Sequence, residues 1–341
     1  MANWKSALYE YVHVRNQTDI HYSPEPLLSL VKDTSVLRER ESYLRRLSDC
    51  HNERGLVPRK NETRLRLHSV DEQPDQVIAE LDLRKTYHYE LGGILHEEER
   101  IEQERVSLRF DGARWLIWTV KVHVPEKSEL PDAALIPQPH ASMSVAEPQR
   151  TQSLPFINRR LVHSPVTAKS KKAYYDRDAA CRYADAYWNH ANPAYQEFPS
   201  DCTNYVSQCL YAGGAPMNNT GRRETGWWYE GKSGSKELWS YSWSVSHSLQ
   251  SFLKRSTIGL RADEVSSPLE LSPGDVICYD WNGDGGFEHS VIVTDLDADG
   301  FPLVNARTVS SRRRFWDYRD SYAWTPKTVY RFLRISDVLQ Q

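Results

Sequence analysis

Two residues in this chain have the type and setting that nucleophilic chemistry needs, Cys202 and His289. Cys202 stands in the run Asp201-Cys202-Thr203-Asn204-Tyr205-Val206-Ser207-Gln208-Cys209-Leu210. Val206, Cys209 and Leu210 fall at the spacing of one apolar helix face, so the cysteine lies on the first turn of a helix predicted to reach Tyr211 and to stop at Gly213-Gly214. A helix N-terminus favours negative charge, which lowers a thiol pKa and populates the thiolate. Backbone N–H groups at the same place can hold a developing oxyanion. A thiolate nucleophile also needs a base or an imidazolium partner. His289 opens a predicted strand, Glu288 to Asp295, joined by the turn Asn282-Gly283-Asp284-Gly285-Gly286 to another at Asp275 to Trp281. An imidazole on that sheet can face a sulfur at the helix tip, first as ion-pair partner and then as general acid.

The elements needed to hold this pair follow from the surrounding pattern. A helix is expected from about Asp176 to His190, with Ala179, Ala180, Tyr183, Ala184, Tyr187 and Trp188 as its buried stripe. Another is expected from Ser244 to Leu253, and further strands at Pro302–Ala306 and Val329–Ile335. The first part of the chain reads differently. Trp4, Leu8, Tyr11 and Val12 recur at helical spacing, and a second helix spans about Leu28 to Arg54 with Gly55 at its C-cap. After Pro58 the period becomes two: Thr63, Leu65, Leu67, then Val77, Ala79, Leu81, Leu83, with hairpin breaks at Asp71–Asp75, Gly92-Gly93 and Asp111-Gly112. Two helices followed by an antiparallel meander make an α+β unit over residues 1–124. Its element order resembles the α+β rolls of the nuclear-transport-factor-2-like superfamily. Residues 125–167, with seven prolines between Pro125 and Pro165, read as a linker. Residues 168–341 form the second unit.

Bulk properties restrict the functional classes. The chain has 341 residues and a net charge of −3, which suggests two ordinary domains and gives no sign of a nucleic-acid partner. The basic run Arg312-Arg313-Arg314 is expected to be a solvated face. Five cysteines without a Cys-x-x-Cys pair argue against a disulfide framework or a zinc site. No run of about 18 apolar residues predicts a membrane span. The start, Met1 to Tyr11, does not read as a signal peptide, so the expected compartment is the cytoplasm, with a spore or cell-wall role left open.

The run around Cys202, the following Gly-Gly, Pro273-Gly274-Asp275-Val276-Ile277, Tyr279-Asp280-Trp281-Asn282-Gly283-Asp284-Gly285 and His289-Ser290-Val291-Ile292-Val293-Thr294 together resemble the putative amidase domain family. Tyr175-Asp176-Arg177-Asp178-Ala179-Ala180 and Tyr183-Ala184 match its first helix. That family is related to the NlpC/P60 and CHAP peptidases. The resemblance implies a papain-like α+β fold for residues 168–341, catalysis by Cys202 and His289 with Asp201 beside the nucleophile, and no cofactor. The implied substrate is a peptide or small amide, including a muropeptide. Members place a His about where Arg307 stands, to orient the catalytic imidazole. Arginine cannot accept a hydrogen bond. Asn305, two residues earlier on the same strand face, is the replacement expected here. Papain-like proteases place an oxyanion-hole Gln about where Gln196 stands.

Other features have plainer readings. Cys50, Cys181, Cys209 and Cys278 are expected to be structural thiols. Asp280, Asn282 and Asp284 imitate the start of a calcium loop, as do Asp295, Asp297 and Asp299, but Glu is missing at the twelfth position of each and tight turns favour the same residues. Trp227, Trp228, Trp281 and Arg307 are candidates to border the cleft. Two rival functions stay open: a binding or scaffold module with a weakened amidase fold, and an acyltransferase. The oligomeric state is not legible.

Overall fold

The computed structural model describes residues 3–127, 172–233 and 236–340. Residues 128–171, which take in all but the first three of the expected linker and the first four of the expected second unit, lie outside the described residues.

The amino-terminal half begins with helices α1 (Trp4–His21) and α2 (Thr34–Arg54), separated by the 3-10 turn Glu25–Ser29. The expected second helix therefore starts six residues late. The reason is local: the Asp33 carboxylate accepts the N–H groups of Ser35 and Val36, which fixes the N-terminus there. Gly55 ends the helix at φ 65°, as its position predicted. Four antiparallel strands follow: β1 (Val57–Glu72), β2 (Gln76–Leu91), β3 (Ile94–Phe110) and β4 (Trp115–His123). Val77, Ala79, Leu81 and Leu83 alternate inward on β2 and pack beneath α1 with Val106 and Leu108 of β3. Toward the other end of the same strands the interior is charged: Arg15, Asp19, Arg40, Lys85, Glu98, Arg100, Glu102 and Glu104 are all buried and interpaired.

The carboxy-terminal half comprises β5 (Lys172–Tyr174), α3 (Arg177–Tyr187), α4 (Cys202–Ala212), the hairpin β6 (Tyr229–Ser233) and β7 (Lys236–Trp239), α5 (Tyr241–Ser244), α6 (Ser246–Arg255), β8 (Ala262–Val265), β9 (Val276–Asp280), β10 (His289–Leu296), β11 (Pro302–Ala306), β12 (Ser311–Phe315), β13 (Val329–Ile335) and β14 (Val338–Gln340). The main sheet runs β1-β2-β3-β12-β11-β10-β9-β13-β8, with β4 also on β3, so both halves share ten strands. Helix α4 is buried on every side from Cys202 to Leu210. Its polar side chains are all spent: Tyr205 donates to the Ala184 carbonyl (2.8 Å), Trp243 to Asn204 (2.7 Å) and Trp227 to Ser207 (3.0 Å).

The joint between the halves is β12, which the sequence reading missed. Ser311 pairs with Arg100 and Arg312 with Glu99 on β3. The basic run is therefore not a solvated face. Arg314 is only 2% exposed, and its guanidinium binds Asp320 (3.1 Å), which also pairs with Arg100. Charged residues tolerate such burial where each finds an opposite charge. Asp320→Ala removes the carboxylate shared by two buried guanidinium groups, leaving Arg100 with Glu98 and Arg314 with Glu126, and the expected cost is about 3 kcal/mol of unfolding free energy in urea titration. A loss under about 1 kcal/mol, the worth of an exposed pair, would show that these charges are hydrated instead.

Candidate active site

Cys202 is the first residue of α4, 2% exposed, and its sulfur lies 3.9 Å from the Glu288 carbonyl oxygen and 3.8 Å from the Thr203 hydroxyl. A run of hydroxyls fastens the helix tip to β10 and α6. Thr203 meets Ser290 (3.3 Å), Ser290 bonds to Ser246 (2.7 Å), and Ser246 donates to the His289 carbonyl (2.8 Å). His289 is fully buried and boxed by the rings of Tyr279, Trp281 and Tyr318, with centroids 5.6, 5.8 and 5.4 Å away.

Burial alone pushes the Cys202 thiol up. The His289 imidazole, by charge and by hydrogen bonding, outweighs that, helped by the Ser290 N–H and the Thr203 hydroxyl, and brings the thiol down to about 7. Neither imidazole nitrogen has a partner at good hydrogen-bond geometry, so the contact with the thiol is a loose one. Hydrogen bonds of this kind tighten when substrate arrives. The other four cysteines go the opposite way. Burial raises Cys50 and Cys278 to about 12 and Cys181 to about 11, and takes Cys209 well above its ordinary value. Cys202 is thus the one cysteine whose surroundings favour the thiolate.

The third position differs from the expectation. Asn305 pairs with Ile292, three residues along β10 from His289, and so lies on the opposite face of the sheet. Its amide is fully used, accepting from Thr294 (2.9 Å) and the Arg313 N–H (2.9 Å) and donating to Asp185 (3.0 Å). Arg307 is buried and clamps Asp201 (3.1 Å) and Glu197 (3.0 Å), so it fixes the helix N-terminus and does not border a cleft. The group beside the imidazole is Glu126, from the 3-10 turn Pro125–Lys127 that opens the expected linker. Its Oε1 lies 3.9 Å from His289 Nε2. Burial raises the Glu126 carboxyl above its usual range, against the pull of Arg314 and Ser321. Nothing in local sequence distinguishes a glutamate between a proline and a lysine, so only the fold reveals it.

The Cys202 N–H, the natural oxyanion donor, is engaged. It donates to the Thr308 hydroxyl (3.0 Å), which also accepts the Asp201 N–H (3.0 Å). Asp201 itself is turned away, accepting from Phe198 N (3.0 Å) and Asn204 (2.8 Å), so Thr308 caps the helix from the β11–β12 turn. Thr308 sits at φ 94°, a left-handed conformation costly for a β-branched residue. Gln196 spends its side-chain amide on the Glu197 carbonyl (2.8 Å) rather than on the site.

Trp227 and Trp228 are core residues, 0% and 2% exposed, not cleft borders: Trp227 packs in the cluster behind α4, and the Trp228 indole N–H donates to the Arg222 (3.2 Å) and Thr225 (3.1 Å) carbonyls. Trp281 is buried too, stacked on the imidazole, with its indole N–H on the Glu126 carbonyl (2.9 Å). Asp280, Asp284 and Glu288 cluster closely enough to share a cation. However, the Asp280 carboxylate is already filled by the N–H groups of Gly283 (2.7 Å) and Gly285 (2.8 Å), and Asn282 donates to Asp284 (3.0 Å). That is the bonding of a tight turn. Asp297 likewise accepts from the N–H groups of Asp299 (3.0 Å) and Phe301 (2.8 Å).

The thiol environment gives a direct test. The ultraviolet thiolate absorbance that Cys202→Ala removes is expected to appear with a midpoint near 7. In His289→Asn the burial that raises the thiol is left without the imidazole's pull, and the midpoint moves above the ordinary thiol value of about 8.5. A midpoint that His289→Asn leaves where it is in wild type would show that the imidazole does not act on the sulfur.

Uncharacterized protein YhbB of Bacillus subtilis (strain 168) is 52% identical over 163 residues, 48% of this chain and 51% of that one. The chain thus spans about half the length of that curated relative. The intermembrane space region of the chloroplast protein ARC6, a solved structure, aligns over 35% of this chain and 92% of its own at 14% identity, with a TM-score of 0.26 that carries no argument. The family described as Putative amidase domain matches residues 174–333, the segment that supplies both Cys202 and His289.

Proposed function

We propose that this protein is a cysteine-dependent amidase with a papain-like catalytic half, Cys202 its nucleophile and His289 its base. The observation that carries the reading is the single depressed thiol, held at about 7 beside a buried imidazole, on a segment matched by an amidase family. Its substrate class is a peptide or peptidoglycan-type amide.

The chemistry balances without a cofactor. The Cys202 thiolate attacks the amide carbon, a C–S bond forms, and the carbonyl π electrons move to oxygen. The oxyanion takes the Cys202 N–H. As the C–N bond breaks, the His289 imidazolium gives its proton to the leaving nitrogen, which leaves a thioester and a free amine. The neutral imidazole then takes a proton from water, whose oxygen attacks the thioester. The C–S bond breaks, the acid is released, and the imidazolium–thiolate pair returns. An amine in place of water at this stage gives acyl transfer instead.

For this to happen, substrate must displace Thr308 from the Cys202 N–H. The Thr308 hydroxyl in that place favours a second reading, a binding module on an amidase fold. One pair of variants separates them. Cys202→Ala is expected to lower hydrolysis of muropeptides or simple amides by about three orders of magnitude or more, and wild type incubated with substrate to show the acyl adduct by mass spectrometry. Equal activity in the two proteins would sink the enzymatic reading, and binding without turnover in both would support the second.

Thr308→Ala should cost about 1 kcal/mol of stability by removing a helix cap. The same change is expected to raise the acylation rate, measured in single turnovers, because the Cys202 N–H becomes free. A slower acylation would show instead that the threonine hydroxyl serves the reaction.

A further inference from the structure

We infer that Glu126 is the positioning residue for the His289 imidazole, so that the amino-terminal half of the chain completes a site whose nucleophile and base lie in the other half. This rests on the amidase reading of Cys202 and His289. Residue 126 lies outside the matched segment 174–333, so the contribution is not one that segment makes for itself.

The geometry is reciprocal. Glu126 Oε1 and His289 Nε2 are both buried side-chain atoms without a hydrogen-bond partner, and they lie 3.9 Å apart. Two such vacancies side by side, in residues 4% and 0% exposed, cost free energy unless something draws them together. The other polar groups around the imidazole are spent. Tyr279 donates to the Trp316 carbonyl, Tyr318 meets Ser311 (3.2 Å), and Trp281 donates to the Glu126 carbonyl. Asn305 and Arg307 are bound elsewhere, as described above.

The carboxylate is also held from behind. Its Oε2 accepts from Ser321 (2.7 Å), and its backbone is anchored by the Trp281 indole. Arg314, from β12, stands 3.6 Å from Oε1 but is shared with Asp320 and lies over the Tyr318 ring at 3.8 Å. The charged and titratable groups that face Glu126 are therefore His289 on β10, Arg314 on β12, Tyr318 after it, and Arg100 and Glu102 on β3. Those facing His289 are Cys202 on α4, Tyr279 on β9, Tyr318 and Glu126.

With its proton fixed on Nε2 toward Glu126, the neutral ring presents Nδ1 to the thiol. When Nδ1 takes the thiol proton, the cation forms beside an anion already in place. The 3.9 Å gap then closes into a charge-assisted hydrogen bond. This is the task a third catalytic group performs in Cys-His-Asn and Ser-His-Asp sites. Among the described residues the matched segment offers no free group beside the imidazole, and the amino-terminal half brings one in with the 3-10 turn.

The test uses full-length protein. Nitrogen NMR of the neutral His289 ring in wild type should find the proton on Nε2. In Glu126→Gln, nearly isosteric, the Cys202 thiolate absorbance should appear at higher pH than in wild type. The same variant should lose about a hundredfold in kcat, with KM within about threefold of wild type. Glu126→Asp, which keeps the charge and shortens the reach, should recover part of the loss. A wild-type ring protonated on Nδ1 overturns the proposal, and so does a Glu126→Gln protein with unchanged thiolate profile and kcat. If Glu126→Gln does not unfold cooperatively, the wild-type tautomer decides alone. The two readings fail separately. Activity that survives Cys202→Ala removes the amidase reading, while the tautomer and thiolate profile still decide Glu126.

Discussion

Cys202 and His289 meet in a space from which water is nearly excluded, and that constraint organises much of the molecule. In such a place a thiolate and an imidazolium are costly apart and favourable together. Burial pushes the thiol up and the imidazole brings it down, so its value near 7 is the balance of two large opposed effects. Such a balance needs fixed neighbours. The Ser290 N–H and the Thr203 hydroxyl lie on the sulfur's side, and the three aromatic rings lie around the imidazole. The hydroxyl run Thr203–Ser290–Ser246 keeps helix, strand and α6 in one register. If helix tip and strand slid apart, the burial cost on the thiol would remain and the partner would be gone.

The same constraint explains why the halves are welded together. A carboxylate brought to a buried imidazole must itself be neutralised. Glu126 has Arg314, Arg314 has Asp320, Asp320 has Arg100, and Arg100 has Glu98 on β3. Each charge in this row is buried, save the half-buried Asp320, and each is opposed by the next. The row crosses from the site into the charged end of the amino-terminal interior. The β12–β3 pairing holds its two ends at a fixed distance. A floating amino-terminal module joined only by a tether could not keep such a row intact.

Much of this was legible in the sequence, and the reasons differ by residue. The helix carrying Cys202 and the strand opening at His289 were read within a residue of their ends, because periodicity and flanking glycines are local signals. Val77, Ala79, Leu81 and Leu83 were read correctly for the same reason. Apart from the α2 start, which a local cap at Asp33 sets, the failures were non-local. Arg314 looks solvated in a run of three arginines, and only tertiary pairing with Asp320 and Glu126 explains its burial. Glu126 sits at the head of a proline-rich stretch, where composition argues for a linker. Asn305 lies on the right strand but on the wrong face, since one residue of register decides which side of a sheet a side chain meets. Trp227 and Trp228 were assigned to a cleft on composition, although large rings more often fill a core.

Thr308 remains the odd element, and it bears on how the site works. A β-branched residue at φ 94° is strained, and a strained residue persists only when its surroundings hold it there. Two N–H groups of the α4 tip hold it, and Arg307 beside it is locked to Asp201 and Glu197. The hydroxyl oxygen occupies the place where a substrate oxyanion would accept the Cys202 N–H. A developing oxyanion is a far better acceptor than a hydroxyl, and its arrival lets the turn relax from an unfavourable conformation. Both terms act in the same direction, toward exchange of the threonine for the substrate. A neutral ground-state carbonyl is the weaker competitor for that N–H. The cost of displacing the threonine therefore falls on the step to the transition state, which is why a freed Cys202 N–H speeds acylation.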